Sequence, residues 1–183
     1  MTNTNIQSSE AFSTALQFVL RWEGGYVNNP HDTGGETNYG VTQAVYSHYR
    51  KSLGLLDRSV RLITTFEVKA IYQENYWTAA GCDLLPSKLA LCHFDWAVNH
   101  GTSGAIKTLQ QVVGARPDGV IGPLTKQAIT AALVLHKEVW LCDRALAIRE
   151  SCYRRWGVGS QSQFLEGWLN RLNALRTEIS HNT

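Results

Sequence analysis

The sequence predicts a mainly helical protein with a small β-hairpin and a glycine-rich loop after its first helix. Three observations carry that expectation. Apolar residues recur at helical spacing through most of the longer segments. Five of the fifteen glycines crowd into residues 24–42, together with Pro30, which marks one irregular region rather than many turns. No repeat, low-complexity tract or flexible linker interrupts the chain. With 183 residues, 44% of them hydrophobic and 17% charged, it can enclose one well-packed core or two small lobes sharing one.

The elements follow in order. Phe12, Leu16, Val19 and Leu20 place a first helix over about 9–23, with Ser9 as a cap and Glu23 continuing the apolar stripe. Gly24 and Gly25 supply the backbone freedom of a helix end. Residues 24–42 read as a loop with a short hairpin around Thr37 to Thr42. Thr64 followed by Glu67 forms a capping box opening a helix to about Ala80. Ser87 caps Lys88 to His100, whose apolar residues nearly encircle it, so that helix is central and buried.

Ser103 caps Gly104 to Val113; Pro117-Asp118-Gly119 is a turn, and Pro123 suits a first helical turn. A long helix covers about 128–155 with a break near His136. After a loop at 157–162, Phe164, Leu165, Trp168, Leu169, Leu172 and Leu175 define a final amphipathic helix.

Composition narrows the function. A net charge of +2 without a Lys/Arg block gives no case for nucleic acid. No apolar run approaches a membrane span, and the polar first ten residues lack a secretory-signal pattern. Cys82, Cys92, Cys142 and Cys152 include no close pair, and the six histidines have no metal spacing, so no metal and no cofactor are expected. Cys92 and Cys142 read as buried thiols. Six Trp and seven Tyr suit either a helical core or a sugar groove, where aromatic faces pack on C–H groups.

Glu23 is the most informative carboxylate. Partly desolvated at the negative end of a helix, it would favour its protonated form, as an acid for glycosidic cleavage must. The competing reading is a surface Glu on a last helical turn. Nine residues on, Asp32 sits among turn formers, with Thr37 and Asn38 just beyond. The loop can fold back to hold a water opposite the acid, as inverting glycosidases require. Asp32 reads equally well as an Asx-turn residue. Glu36 competes for the second-carboxylate role but suits loop structure better. Asp95 and Asn99 share one face of the buried helix: Asn99 is a candidate substrate contact, and Asp95 pins another helix or caps a loop.

The run Glu23-Gly24-Gly25-Tyr26-Val27-Asn28, then Asp32-x-Gly34-Gly35-Glu36-Thr37-Asn38-Tyr39-Gly40-Val41-Thr42, resembles the signature of glycoside hydrolase family 108, N-acetylmuramidases of phages and bacteria. Phe94-Asp95-Trp96-Ala97-Val98-Asn99-His100-Gly101, Asp118-Gly119-Val120-Ile121-Gly122-Pro123-Leu124-Thr125 and Asn170-Arg171 resemble its second half, usually described as a predicted peptidoglycan-binding region. The likeness spans about residues 12–176.

The resemblance implies a lysozyme-like helical fold with Glu23 as catalytic acid. The spacing Glu-x8-Asp-x5-Thr of phage-type lysozymes is met by Asp32, while Asn38 stands where Thr is expected and Thr37 comes one residue early. Asp32 and Thr37 are thus the candidates to position water, and Tyr26, Asn38, Tyr39, Trp77 and Asn99 the candidates to contact substrate. Residues 1–86 would form a catalytic half and 87–183 a peptidoglycan-binding-like half, packed as one body. The implied reaction is hydrolysis of the β-1,4 bond between N-acetylmuramic acid and N-acetylglucosamine, by a monomer. Such a protein would wait in the host cytoplasm and reach the wall by a holin or another non-Sec route. Rival readings are a lytic transglycosylase, a noncatalytic wall-binding or secretion-assisting protein and, least supported, a helical adaptor.

Overall fold

The computed structural model describes the backbone of residues 3–28 and 35–181, and the side chains of 8–28 and 35–180. Asp32, expected to hold the water, lies outside the described residues. The fold is mainly helical: α1 (Asn3–Leu20), a hairpin of β1 (Thr37–Asn38) and β2 (Val41–Thr42), α2 (Gln43–Ser52), α3 (Thr65–Tyr72), α4 (Ser87–His100), α5 (Thr102–Val112), α6 (Pro123–Leu135), α7 (Glu138–Trp156) and α8 (Ser162–His181). No described helix is long and apolar enough to cross a membrane.

Helix α4 is the axis. Leu89 through Ala97 are all buried, and the helix packs against α1, α5 and α7. A helix apolar on every side has no face to give to water, so its neighbours surround it. Phe12 of α1, Trp77 and Phe94 of α4 meet edge-on, with ring centroids 5.3–5.8 Å apart. That geometry aligns ring edges with ring faces and adds to the area they bury. The buried core is continuous from Phe12 to Ile179.

Caps and breaks explain where the helices begin and stop. Thr64 and Glu67 form the expected capping box at α3. The helix then widens to a π-helical turn over Gln73–Thr78. The break at His136 is present, extended at φ −130° between α6 and α7. Three expected caps are absent, the first because Ser9 lies inside α1, which begins at Asn3. Ser87 is the first residue of α4, and the free N–H groups of Lys88 and Leu89 donate instead to the Glu138 carboxylate of α7, at 2.7 and 2.9 Å. Ser103 lies inside α5, which follows Gly101 in a left-handed conformation (φ 79°).

Helix α2 has no counterpart in the sequence reading. It is a polar helix burying mainly Tyr46, with Thr42 accepting from the Val45 N–H at its start. The Asp118–Pro123 turn is held from within. Gln110 donates to Asp118 and Thr125 and to the Val120 carbonyl, and accepts from the Gly119 N–H. This fixes the entry to α6.

Candidate active site

Glu23 stands three residues beyond the end of α1, not on its last turn. Backbone bonds from Arg21 to Phe18 and from Trp22 to Val19 close the helix in tight turns, so it stops before either glycine. Neither Gly24 nor Gly25 has positive φ, and a side chain at either would meet nothing within 4 Å. The expected glycine cap is therefore absent, and Glu23 projects from an irregular segment.

The hairpin delivers the opposite wall. Thr37 pairs with Thr42 and Asn38 with Val41, and Tyr39-Gly40 turn between them with φ of 50° and 72°. Two successive left-handed residues match the right-handed twist of a two-residue hairpin. The segment after Glu23 joins this ribbon, because Val27 and Thr37 exchange backbone hydrogen bonds of 2.8 and 2.9 Å. Gly40 is then pressed against the acid. A Cβ there would lie 2.5 Å from Tyr72 Oη and 2.8 Å from Glu23 Oε2. Tyr72 of α3 donates to the Tyr39 carbonyl at 2.9 Å and ties the turn down.

The setting of Glu23 is not the apolar one read from the sequence. Arg171 of α8 donates from Nη1 to Glu23 Oε1 at 3.0 Å. The same guanidinium donates from Nε to Asp95 Oδ1 at 2.9 Å, and its Nη2 lies 2.8 Å from that oxygen without hydrogen-bond alignment. Asp95, fully buried in α4, also receives Arg149 Nη2 of α7 at 2.6 Å on Oδ2. Burial, and then the charge of Glu23, push the Tyr72 hydroxyl well above the usual tyrosine range and raise that of Tyr76. Both remain neutral, and Tyr72 keeps its proton as a donor beside Glu23. The Glu23 side chain keeps about a fifth of its surface open, so solvent and ligand reach it.

The sequence candidates separate clearly. Tyr26 and Tyr39 are partly exposed, and the Arg61 guanidinium lies over the Tyr26 ring at 5.4 Å. Thr37 stands on β1 in the ribbon leading to the Gly40 turn. Asn38 is buried and its amide donates to the carbonyls of Val60 and Arg61, so it supports the hairpin from behind and does not face a ligand. Trp77 is likewise buried: it is 1% exposed and donates to Asp83 at 2.7 Å. Asn99, exposed at the end of α4, donates to the Asp95 carbonyl at 2.7 Å. Glu36 accepts from Ser59 at 3.0 Å as a loop-structuring residue. The four cysteines are free thiols, with Cys92 and Cys142 buried.

Three contributors escaped the sequence reading: Tyr72, Gly40 and Arg171. Arg171 carried a readable signal, because it occupies the Phe164–Trp168–Leu175 face of an otherwise apolar stripe.

A search of curated proteins finds no match to the chain. Family models do match it. Residues 16–101 match the glycosyl hydrolase 108 family, and residues 104–173 match a family described as a predicted peptidoglycan domain. Among solved structures, SagA of Brucella abortus is similar over 93% of this chain and 94% of its own, with 32% identity and a TM-score of 0.75. The chain accordingly belongs to the glycosyl hydrolase 108 family, a glycoside hydrolase whose partner is peptidoglycan.

Proposed function

We propose that the protein is an N-acetylmuramidase that hydrolyses the β-1,4 bond between N-acetylmuramic acid and N-acetylglucosamine, with Glu23 as the general acid. One observation carries the reading: Glu23 is a solvent-reachable carboxylate held between the Gly40 turn and Arg171. A carboxyl group in its protonated form there would give its proton to the leaving oxygen as the glycosidic bond breaks. Water would then add to the anomeric carbon from the opposite side. Thr37 and Asp32 are the residues assigned to hold that water. Tyr26 and Tyr39 offer exposed rings for sugar faces.

The test is turnover of purified peptidoglycan with mass analysis of the fragments. Wild-type protein should release fragments with reducing N-acetylmuramic acid ends. Glu23→Gln should fold normally and lose activity by about 10³-fold or more, the scale of removing an acid catalyst. Fragments ending in 1,6-anhydro sugars would assign a transglycosylase, and an active Glu23→Gln would remove the acid assignment altogether.

A further inference from the structure

Four charges of alternating sign run inward from the site: Glu23, Arg171, Asp95 and Arg149. The last three side chains are almost entirely buried, and each charge is flanked by its opposite. We propose that Arg171 is the positioning residue for Glu23, so that helix α8, from the region matching the peptidoglycan family, completes the active site. The inference rests on Glu23 being the acid.

The argument is geometric. A guanidinium is planar and rigid, and its donors have fixed directions. Asp95 holds the Nε/Nη2 edge of Arg171, and Arg149 holds the other oxygen of Asp95. Once that edge is fixed, Nη1 has one place to point, and Glu23 Oε1 lies there at 3.0 Å. Glu23 itself extends from an irregular segment, so its position is set from outside: by the Gly40 turn on one side and Nη1 on the other. A lysine could supply charge at this point but not direction.

Arg171 is not needed merely to dock α8 on the end of α1. Arg21 and Glu178 already join those segments by an ion pair of 2.7 Å. The chemistry gives the inner contact a different use. When the proton passes from Glu23 to the glycosidic oxygen and the C–O bond breaks, negative charge develops on the carboxylate beside Nη1. The contact therefore strengthens along the reaction, which is what accelerates a chemical step. Water adds to the anomeric carbon and loses a proton through the group holding it, and Glu23 is reprotonated from solvent.

Among the described residues, the charged and titratable groups facing Glu23 are Arg171 of α8 and Tyr72 and Tyr76 on the α3 side, with Asp95 and Arg149 behind the arginine. The two tyrosines do not titrate near neutral pH, so the arginine is the cation that a pH profile would report.

Arg171→Gln, Arg171→Lys, Arg21→Gln and Glu23→Gln would be compared with wild type on purified peptidoglycan, reading kcat, KM, the pH–rate profile and thermal unfolding. Arg171→Gln and Arg171→Lys should each lower kcat about 10²-fold, with KM changed less than about threefold. The high-pH limb should move upward in Arg171→Gln, where the cation is gone, and stay in Arg171→Lys. Arg21→Gln should keep kcat within about twofold. If Arg171→Lys, measured on its folded fraction, retains wild-type kcat, direction is not what the residue supplies and the proposal is overturned. An unmoved limb in Arg171→Gln overturns it equally, leaving Arg171 a strut. An active Glu23→Gln instead defeats the underlying reading, whatever the arginine variants do.

Discussion

Two clusters in this molecule each bury a carboxylate between two arginines, and they serve opposite ends. Glu67 sits in a closed cluster between α2 and the start of α3. It accepts from Tyr46 and Arg50 on one oxygen, and from Arg58 and both the N–H and hydroxyl of Thr64 on the other, all at 2.7–2.9 Å. Burial disfavours its charge, but the Thr64 and Tyr46 hydrogen bonds and the nearby Arg58 outweigh that and hold Glu67 below its ordinary value. Asp95 also lies between two arginines, yet one of them reaches onward to the partly exposed Glu23. A closed cluster fixes a loop. An open one passes its rigidity to a group at the surface.

Removing each central charge should separate the two. Asp95→Asn leaves Arg149 and Arg171 facing each other without a carboxylate between them, which should destabilise the fold by about 3–5 kcal/mol. Glu67→Gln should cost less, about 1–3 kcal/mol, because a third of the Arg58 side chain is already in water and can be solvated. Urea unfolding measures both. Rates corrected for folded fraction should fall further in Asp95→Asn and stay near wild type in Glu67→Gln. Equal losses of rate would erase the distinction between open and closed.

The next effect sets the pH at which that comparison is clean. His93 is buried in α4 with Nε2 2.9 Å from the Ala80 carbonyl, and burial lowers its pKa to about 4. The unfolded chain takes up this proton near pH 6.5, while the folded chain resists until about pH 4. Its contribution is therefore complete above pH 6.5 and is lost as pH falls toward 4, by up to about 3 kcal/mol. Urea midpoints followed across that window should decline in wild type and flatten in His93→Gln. A flat wild-type profile would show that His93 is accessible to protons in the folded state.

How much of this was legible depended on the range of the interaction. The capping box at Thr64, the break at His136, the buried α4 and the place of the short hairpin are set by residues a few positions apart, and sequence spacing carries them. Glu23 and the pinning role of Asp95 were also readable, one from its motif and one as a polar residue in an apolar helix. The partners of both were not. Arg171 is 148 residues from Glu23 and 76 from Asp95, and periodicity says nothing across such distances. Trp77 and Asn38 failed for another reason: an aromatic or an amide serves a core or a groove equally well, and only packing decides. The cap on α4 failed like Arg171, because Glu138 supplies it from 50 residues away.

Gly40 gives the finest division between the clusters, because it touches the open one at Glu23 and lies on the hairpin that runs into α2, the helix that carries Tyr46 and Arg50 of the closed one. Gly40→Ala should destabilise the fold by about 1–2 kcal/mol, since its φ of 72° is left-handed and disfavours any Cβ. The same Cβ would stand 2.8 Å from Glu23 Oε2 and 2.5 Å from Tyr72 Oη, the ends of side chains that can give way. Yielding moves the acid, so turnover should drop by about tenfold or more even in fully folded protein. Tyr39→Asn is the control on strain. Asparagine tolerates the φ of 50° at that position and adds nothing toward Glu23, so stability should change by less than about 0.5 kcal/mol. If Gly40→Ala loses stability but keeps wild-type kcat, the turn fixes only the hairpin, and the place of Glu23 is set from the arginine side alone.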